Sequence, residues 1–123
     1  MATSKSDALK TILNSLSASS GDIQASAVVS TDGLMIASNF PAGLDEDRLA
    51  AMSAALLAMG ERTARELERG NLDQVFIKGE HGNVVMLAAG HEGVLTTLTS
   101  PNAKLGLVFL DMKRAAQEIA RII

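Results

Sequence analysis

The stretch Leu49–Met59 constrains the fold of this chain more than any other, because its residues are apolar or small in every direction around a helix. It lies within Glu46–Arg69, a segment that we predict to be one long helix, capped at its start by Asp45 and ended by Gly70-Asn71. A helix without a polar side is normally buried on every side. One side must cover other secondary structure, and the remaining sides need a second covering.

A stripe of larger residues runs along this helix, with small residues on its other sides. In a chain of 123 residues with three predicted helices, burial of such a helix by one molecule is hard to arrange. We therefore expect it to associate with a second copy, and a central helix inside a monomer is the alternative. The stripe contains Leu49, Met52, Leu56, Met59 and Thr63, continued by Leu67, and the small residues are Ala51, Ala54, Ala55 and Ala58.

Hydrophobic periodicity predicts the other elements. Leu9, Ile12, Leu13 and Leu16 share one helical face, and Asp32-Gly33 supplies the positive φ angles of a tight hairpin turn. The expected order is α-β-β-α-β-β-β-α, an α/β domain of the α+β type with a five-stranded antiparallel sheet between helices, spanning residues 1–123. Besides the long helix, the predicted elements are a helix over 6–17, strands over 23–30, 34–38, 72–78, 84–89 and 94–99, and a helix that starts at Ser100-Pro101 and runs to the end.

The strand that follows the long helix is a second candidate for self-association. If it lies at the sheet edge, Val75, Phe76 and Ile77 leave an apolar edge with little protection, which pairing with its own copy would cover. The alternative is a position inside the sheet. The predicted dimer interface consists of Leu49, Met52, Ala55, Leu56, Met59, Val75, Phe76 and Ile77.

Charge and composition exclude several classes of function. The net charge is −3 and there are three aromatic residues, all Phe, which argues against nucleic-acid binding and against an anionic membrane as partner. The apolar run is too short to cross a bilayer, so we expect no direct membrane insertion. No cysteine is present, and the polar start does not resemble a signal peptide, so we expect a cytoplasmic protein.

The sequence offers no constellation for catalysis, cofactor binding or metal binding. His81 and His91 each lie in a Gly-flanked turn without a second ligand at metal spacing. The phosphate-binding loop and the G-x-S-x-G nucleophile motif are absent, and Gly79-Glu-His-Gly82 joins two strands rather than the two helices of a nucleic-acid-clamping loop. We predict no catalytic residue, no cofactor and no metal site.

The element order, together with particular residues, resembles the Roadblock/LC7 family. The matching points are the hairpin 27–37, the small-residue helix through Met52, Leu56 and Met59, the strand 75–79 and the closing helix near Leu105. The resemblance implies a profilin-like sandwich that dimerises through its second helix and third strand. It also implies a regulator or scaffold of small Ras-like GTPases, similar to the GTPase-activating partner of a bacterial gliding-motility switch protein.

Three hypotheses follow from the residues and the resemblance. The first is a non-enzymatic homodimeric regulator of a small Ras-like GTPase, to which the family offers no invariant catalytic residue. The second is a structural adaptor of the dynein-light-chain or endosomal-scaffold type. The third is a small-molecule sensor of PAS-like type, which needs an internal pocket with polar anchors, and the Ala- and Val-rich strands offer few.

Overall fold

The secondary-structure elements follow one another in the predicted order. The structure, a computed structural model, describes residues 4–123, so residues 1–3 of the predicted domain and of its polar start lie outside the described part. The elements are α1 (Lys5–Ser19), β1 (Ile23–Ser30), β2 (Met35–Asn39), α2 (Glu46–Glu66), β3 (Val75–Gly79), β4 (Gly82–Ala89), β5 (Gly93–Thr99) and α3 (Leu105–Ile122).

The five strands form one antiparallel sheet in the order β2-β1-β5-β4-β3. The predicted hairpin joins β1 to β2: Gly33 has a φ of +88°, and the Ser30 N–H donates to the Leu34 carbonyl. β5 is the central strand, pairing with β1 along one side and with β4 along the other. Consequently β2 and β3 are the two edges of the sheet.

The helices lie in two layers on opposite faces of the sheet. α1 and α3 pack together on one face, where Leu13, Leu95 and Met112 belong to the larger hydrophobic core. α2 alone covers the other face, over a smaller core that includes Val29, Leu57 and Met86. β4 contributes to both cores, which confirms the prediction that this non-alternating apolar strand is covered on both faces.

Both predicted N-terminal caps form. The Ser4 hydroxyl accepts from the Asp7 N–H at 3.1 Å at the start of α1, and the Asp45 carboxylate accepts from the Arg48 N–H at 3.1 Å at the start of α2. These side chains satisfy backbone donors that the first helical turn leaves free.

Three predicted boundaries are wrong. α2 ends at Glu66, not Arg69, because Glu68 and Gly70 adopt positive φ angles. β3 begins at Val75, three residues after the predicted start at Leu72. α3 begins at Leu105 rather than at Pro101.

A contact from a distant part of the chain explains the late start of α3. The Asp22 carboxylate accepts from the Lys104 N–H at 3.0 Å and from the Ser100 hydroxyl at 3.4 Å. These bonds hold the segment before α3 as a turn, although its proline would also suit a first helical turn.

Candidate interaction surface

The side of α2 that contacts the sheet consists of small residues and one large one. Ala50, Ser53 and Leu57 are the buried residues of the helix. Their spacing places them on one helical face, and the two small side chains let the helix backbone approach the strands closely. The Ser53 hydroxyl is buried without a hydrogen-bond partner. Therefore α2 turns its smallest residues towards the sheet, and the larger residues of the predicted stripe lie at its flank and outer side.

The outer side of α2 exposes large apolar side chains. Met52 is 53% exposed and Met59 60% exposed, and Ala55 is exposed between them. Leu49 and Leu56 are half-buried, since they pack from the flank against the smaller core. The alternative that one molecule buries this helix on all sides is wrong.

β3 is an edge strand, so the alternative that placed it inside the sheet is also wrong. It pairs with β4 alone among the strands in the described part of the chain, with Val75 opposite Met86 and Ile77 opposite Val84. Val75 and Ile77 therefore share the α2 face of the sheet, where Val75 is half-buried and Ile77 is 40% exposed.

Phe76 points to the opposite face of the sheet. Its ring contacts the ring of Phe109 on α3 edge to face, with the ring centroids 6.0 Å apart and the planes at 82°. Of the eight predicted interface residues, the structure thus places seven on the α2 face and leaves Phe76 outside that group. The Phe76 backbone still belongs to the free edge of the sheet.

A groove joins the outer side of α2 to the start of β3. A Cβ atom on Gly60 would lie 2.9 Å from the Val75 Cγ2 atom, so only glycine lets the chain before β3 pass this closely. The groove has a volume of about 410 Å³ and is lined by Leu56, Met59, Thr63, Leu67, Leu72 and Val75, among others. The predicted interface omits Gly60 and Leu72; a glycine inside a helical pattern is the signal that identifies the first.

The end of α2 carries charged side chains on its exposed surface. Arg62 Nε and Glu66 Oε1 form the predicted ion pair at 2.9 Å, whereas Glu61 and Arg65 do not pair, within the region that the structure describes. Both partners of the formed pair are largely exposed, so it contributes little to stability. The charges border the apolar groove and favour a surface that meets another protein.

Other kinds of site receive no support from the described residues. Over residues 4–123, no three or more His, Cys, Asp or Glu side chains come together as potential metal ligands. His81 and His91 are both exposed in turns, as predicted. None of the helices that the structure describes combines the length and apolarity needed to cross a membrane.

A protein with known sequence resembles this chain over most of its length. It comes from Methanocaldococcus jannaschii and is 46% identical over 97 residues, which are 79% of this chain and 84% of that protein.

Several solved structures share the fold. MglB in a tetrameric arrangement superposes with a TM-score of 0.88 at 23% identity, over 99% of this chain and 92% of that chain. The gliding protein MglB of Thermus thermophilus gives 0.84 at 21% identity, over 99% and 93%. Profilin of Schizosaccharomyces pombe gives 0.67 at 13% identity, over 93% and 98%. These likenesses confirm the predicted profilin-like sandwich.

A family model settles the wider relationship. The model of the Roadblock/LC7 domain matches residues 9–99, which run from α1 to the end of β5 and make up well over half of the chain. The resemblance drawn from the residues is therefore confirmed: the chain belongs to the Roadblock/LC7 domain family.

Proposed function

We propose that this protein is a non-enzymatic homodimer that regulates or scaffolds a small Ras-like GTPase through protein–protein binding. The observation that carries the proposal is the exposed apolar side of α2, with Met52 and Met59, next to the free edge of β3. Monomeric proteins seldom leave such a combination in water.

In the proposed dimer, the two β3 strands pair antiparallel across a two-fold axis and join the two sheets into one. The two α2 helices then lie side by side on the same face of the joined sheet. Met52, Met59 and Ile77 become buried, and the groove beside Gly60 is covered by the partner copy. A two-fold interface of this kind closes on itself and leaves no further sticky edge at β3.

Similarity to MglB supports both parts of the proposal. One MglB structure has a tetrameric arrangement, so a protein with this fold self-associates. Another MglB is a gliding protein, which matches the motility regulator that the family resemblance implies. For this chain we propose the corresponding role, a partner that binds the GTPase and biases the conformation of its switch regions.

The filled interior supports a binding role over a small-molecule sensor. Beneath α2, the side chains of Val29, Leu57, Met86 and Val94 are buried and in contact, so the space that a PAS-like sensor would use for its ligand holds core residues. We further propose that residues 1–123 form a single domain and that the protein is cytoplasmic.

The dimer is tested by light scattering on the full chain. The expected mass is about 25.6 kDa, twice the 12.8 kDa of one copy. A mass of 12.8 kDa at micromolar concentration contradicts the dimer.

GTPase binding is tested by a pull-down with a Ras-like GTPase encoded near this protein's gene, loaded with GTP or with GDP. Stronger capture of one nucleotide state supports regulation. Equal capture of both states supports a scaffold, and failure with both, combined with binding to a motor or scaffold peptide, supports the structural adaptor.

A further inference from the structure

The charges of this protein are divided unequally between its two faces. The layer formed by α1 and α3, including Lys104 at the start of α3, contains six Lys or Arg side chains and three carboxylates, a net charge of +3. The remaining five cations and eleven carboxylates give −6, and the two parts together give the −3 of the whole chain. The net charge of the sequence therefore hides a basic layer.

The basic character is concentrated on the solvent-facing side of α3. This surface, the α3 ridge, consists of Leu107, Leu110, Lys113, Arg114, Gln117 and Arg121, all of which are exposed. It contains no carboxylate, because Asp111 and Glu118, the two acids of α3, line the groove between α1 and α3 instead. Lys113 forms an ion pair with Asp73 at 3.3 Å, so Arg114 and Arg121 are the ridge cations without an ion pair in the described structure.

Two large apolar side chains stand beside these cations. Leu107 is 57% exposed and Leu110 is 47% exposed, although the opposite side of α3 fills the larger core. The core needs neither leucine. An exposed helix that carries leucines and cations together on its convex outer side is typical of a segment that lies on a membrane surface.

A second copy of this chain fits the α3 ridge poorly. Packing two ridges against each other would bring Arg114 and Arg121 close to the same cations of the other copy, and like charges repel at such distances. The ridge fits a negatively charged, deformable surface that leucine side chains can enter.

We propose that the α3 ridge docks this protein on anionic lipid membranes. The arginines contact lipid headgroups, and Leu107 and Leu110 enter the boundary between headgroups and acyl chains. One further consequence rests on the proposed dimer: with the sheets joined at β3, the ridges of both copies lie on the same side, opposite the α2 helices. Both ridges then reach one membrane at once while the α2 face stays open to a protein partner.

Co-sedimentation of the full chain with vesicles tests the proposal. One set of vesicles is pure phosphatidylcholine, and the other contains equal parts of phosphatidylcholine and phosphatidylserine. We expect binding to the anionic vesicles only, weakened by added salt because screening acts on exposed charges. Equal binding to both sets, or to neither, overturns the proposal.

Matched charge variants locate the contact. Since each cation near an anionic surface contributes about a factor of five, the double variant Arg114→Gln/Arg121→Gln should bind about 30-fold more weakly. The control Arg48→Gln/Arg65→Gln removes two exposed cations from α2 and should bind like the wild type. An equal loss in both pairs overturns the assignment to α3.

Two further readouts separate this proposal from others. Light scattering on the same samples reports the dimer independently: vesicle binding by a monomer leaves the α3 ridge proposal standing and contradicts the proposed dimer. Anisotropy with a labelled polyglutamate peptide tests an acidic protein partner, and tight peptide binding without vesicle binding overturns the membrane assignment.

Discussion

The substitution Met59→Asp is the sharpest test of the interface on α2. In the monomer Met59 is 60% exposed and makes no essential core contact, so the change should leave the fold intact. In the proposed dimer both copies of the side chain are buried, and a carboxylate there would lack a partner.

The magnitude follows from the exposed area. Sixty per cent of a methionine side chain is roughly 100 Å² of apolar surface, worth about 2.5 kcal/mol when buried. Two copies face each other across the two-fold axis, so the dimer loses about 5 kcal/mol, and its dissociation constant rises more than about a thousandfold. Desolvation of the new carboxylates adds to this loss.

Light scattering at micromolar concentration measures the effect, with thermal unfolding to verify the fold. We expect about 25.6 kDa for the wild type and 12.8 kDa for the variant. The matched control is Leu110→Asp, which places the same charge at a similarly exposed leucine on the opposite face and should leave the dimer intact. A dimeric Met59→Asp variant, or a monomeric control, would refute the placement of the interface on α2.

Three further substitutions test the fold by chemical denaturation. Ser53→Ala removes a buried hydroxyl without a partner and should raise the free energy of unfolding by about 1 kcal/mol; a loss of stability would show that the hydroxyl is hydrogen-bonded. Asp22→Ala removes the acceptor for the Lys104 N–H and the Ser100 hydroxyl and should lower it by about 1–2 kcal/mol, with Asp22→Asn retaining part of the effect; an unchanged midpoint would contradict the role of this cap. Gly82→Ala should lower it by about 2 kcal/mol or more, because a Cβ there would lie 2.5 Å from the Thr99 carbonyl oxygen at a φ of +150°; wild-type stability would show that the β3–β4 turn relaxes freely.

Local sequence patterns were sufficient for the order of the elements. Alternation of period two in β1, helical spacing in α1 and α3, and the Asp32-Gly33 turn each depend on neighbouring residues alone. The caps at Ser4 and Asp45 belong to the same class, because a cap lies within three residues of the N–H that it accepts from. Such contacts are encoded wherever the segment is placed.

The boundaries that the sequence predicted wrongly depend on distant contacts. The start of α3 is moved to Leu105 by the Asp22 carboxylate, more than eighty residues away along the chain. The closeness of β3 to α2 depends on Gly60, whose missing side chain makes room for Leu72 and Val75. A pattern within one segment contains neither relationship.

By itself, the sequence determined that α2 carries too much apolar surface for one monomer to bury, and that β3 would be sticky at an edge. Only the tertiary structure decided which side of α2 meets the sheet, because a helix that is apolar all round has no periodicity to orient it. Close packing against the strands selected Ala50, Ser53 and Leu57, which left Met52 and Met59 in solvent. The sheet order likewise decided that β3 is an edge and that Phe76 faces α3, since strand pairing is made by contacts between segments far apart in the chain.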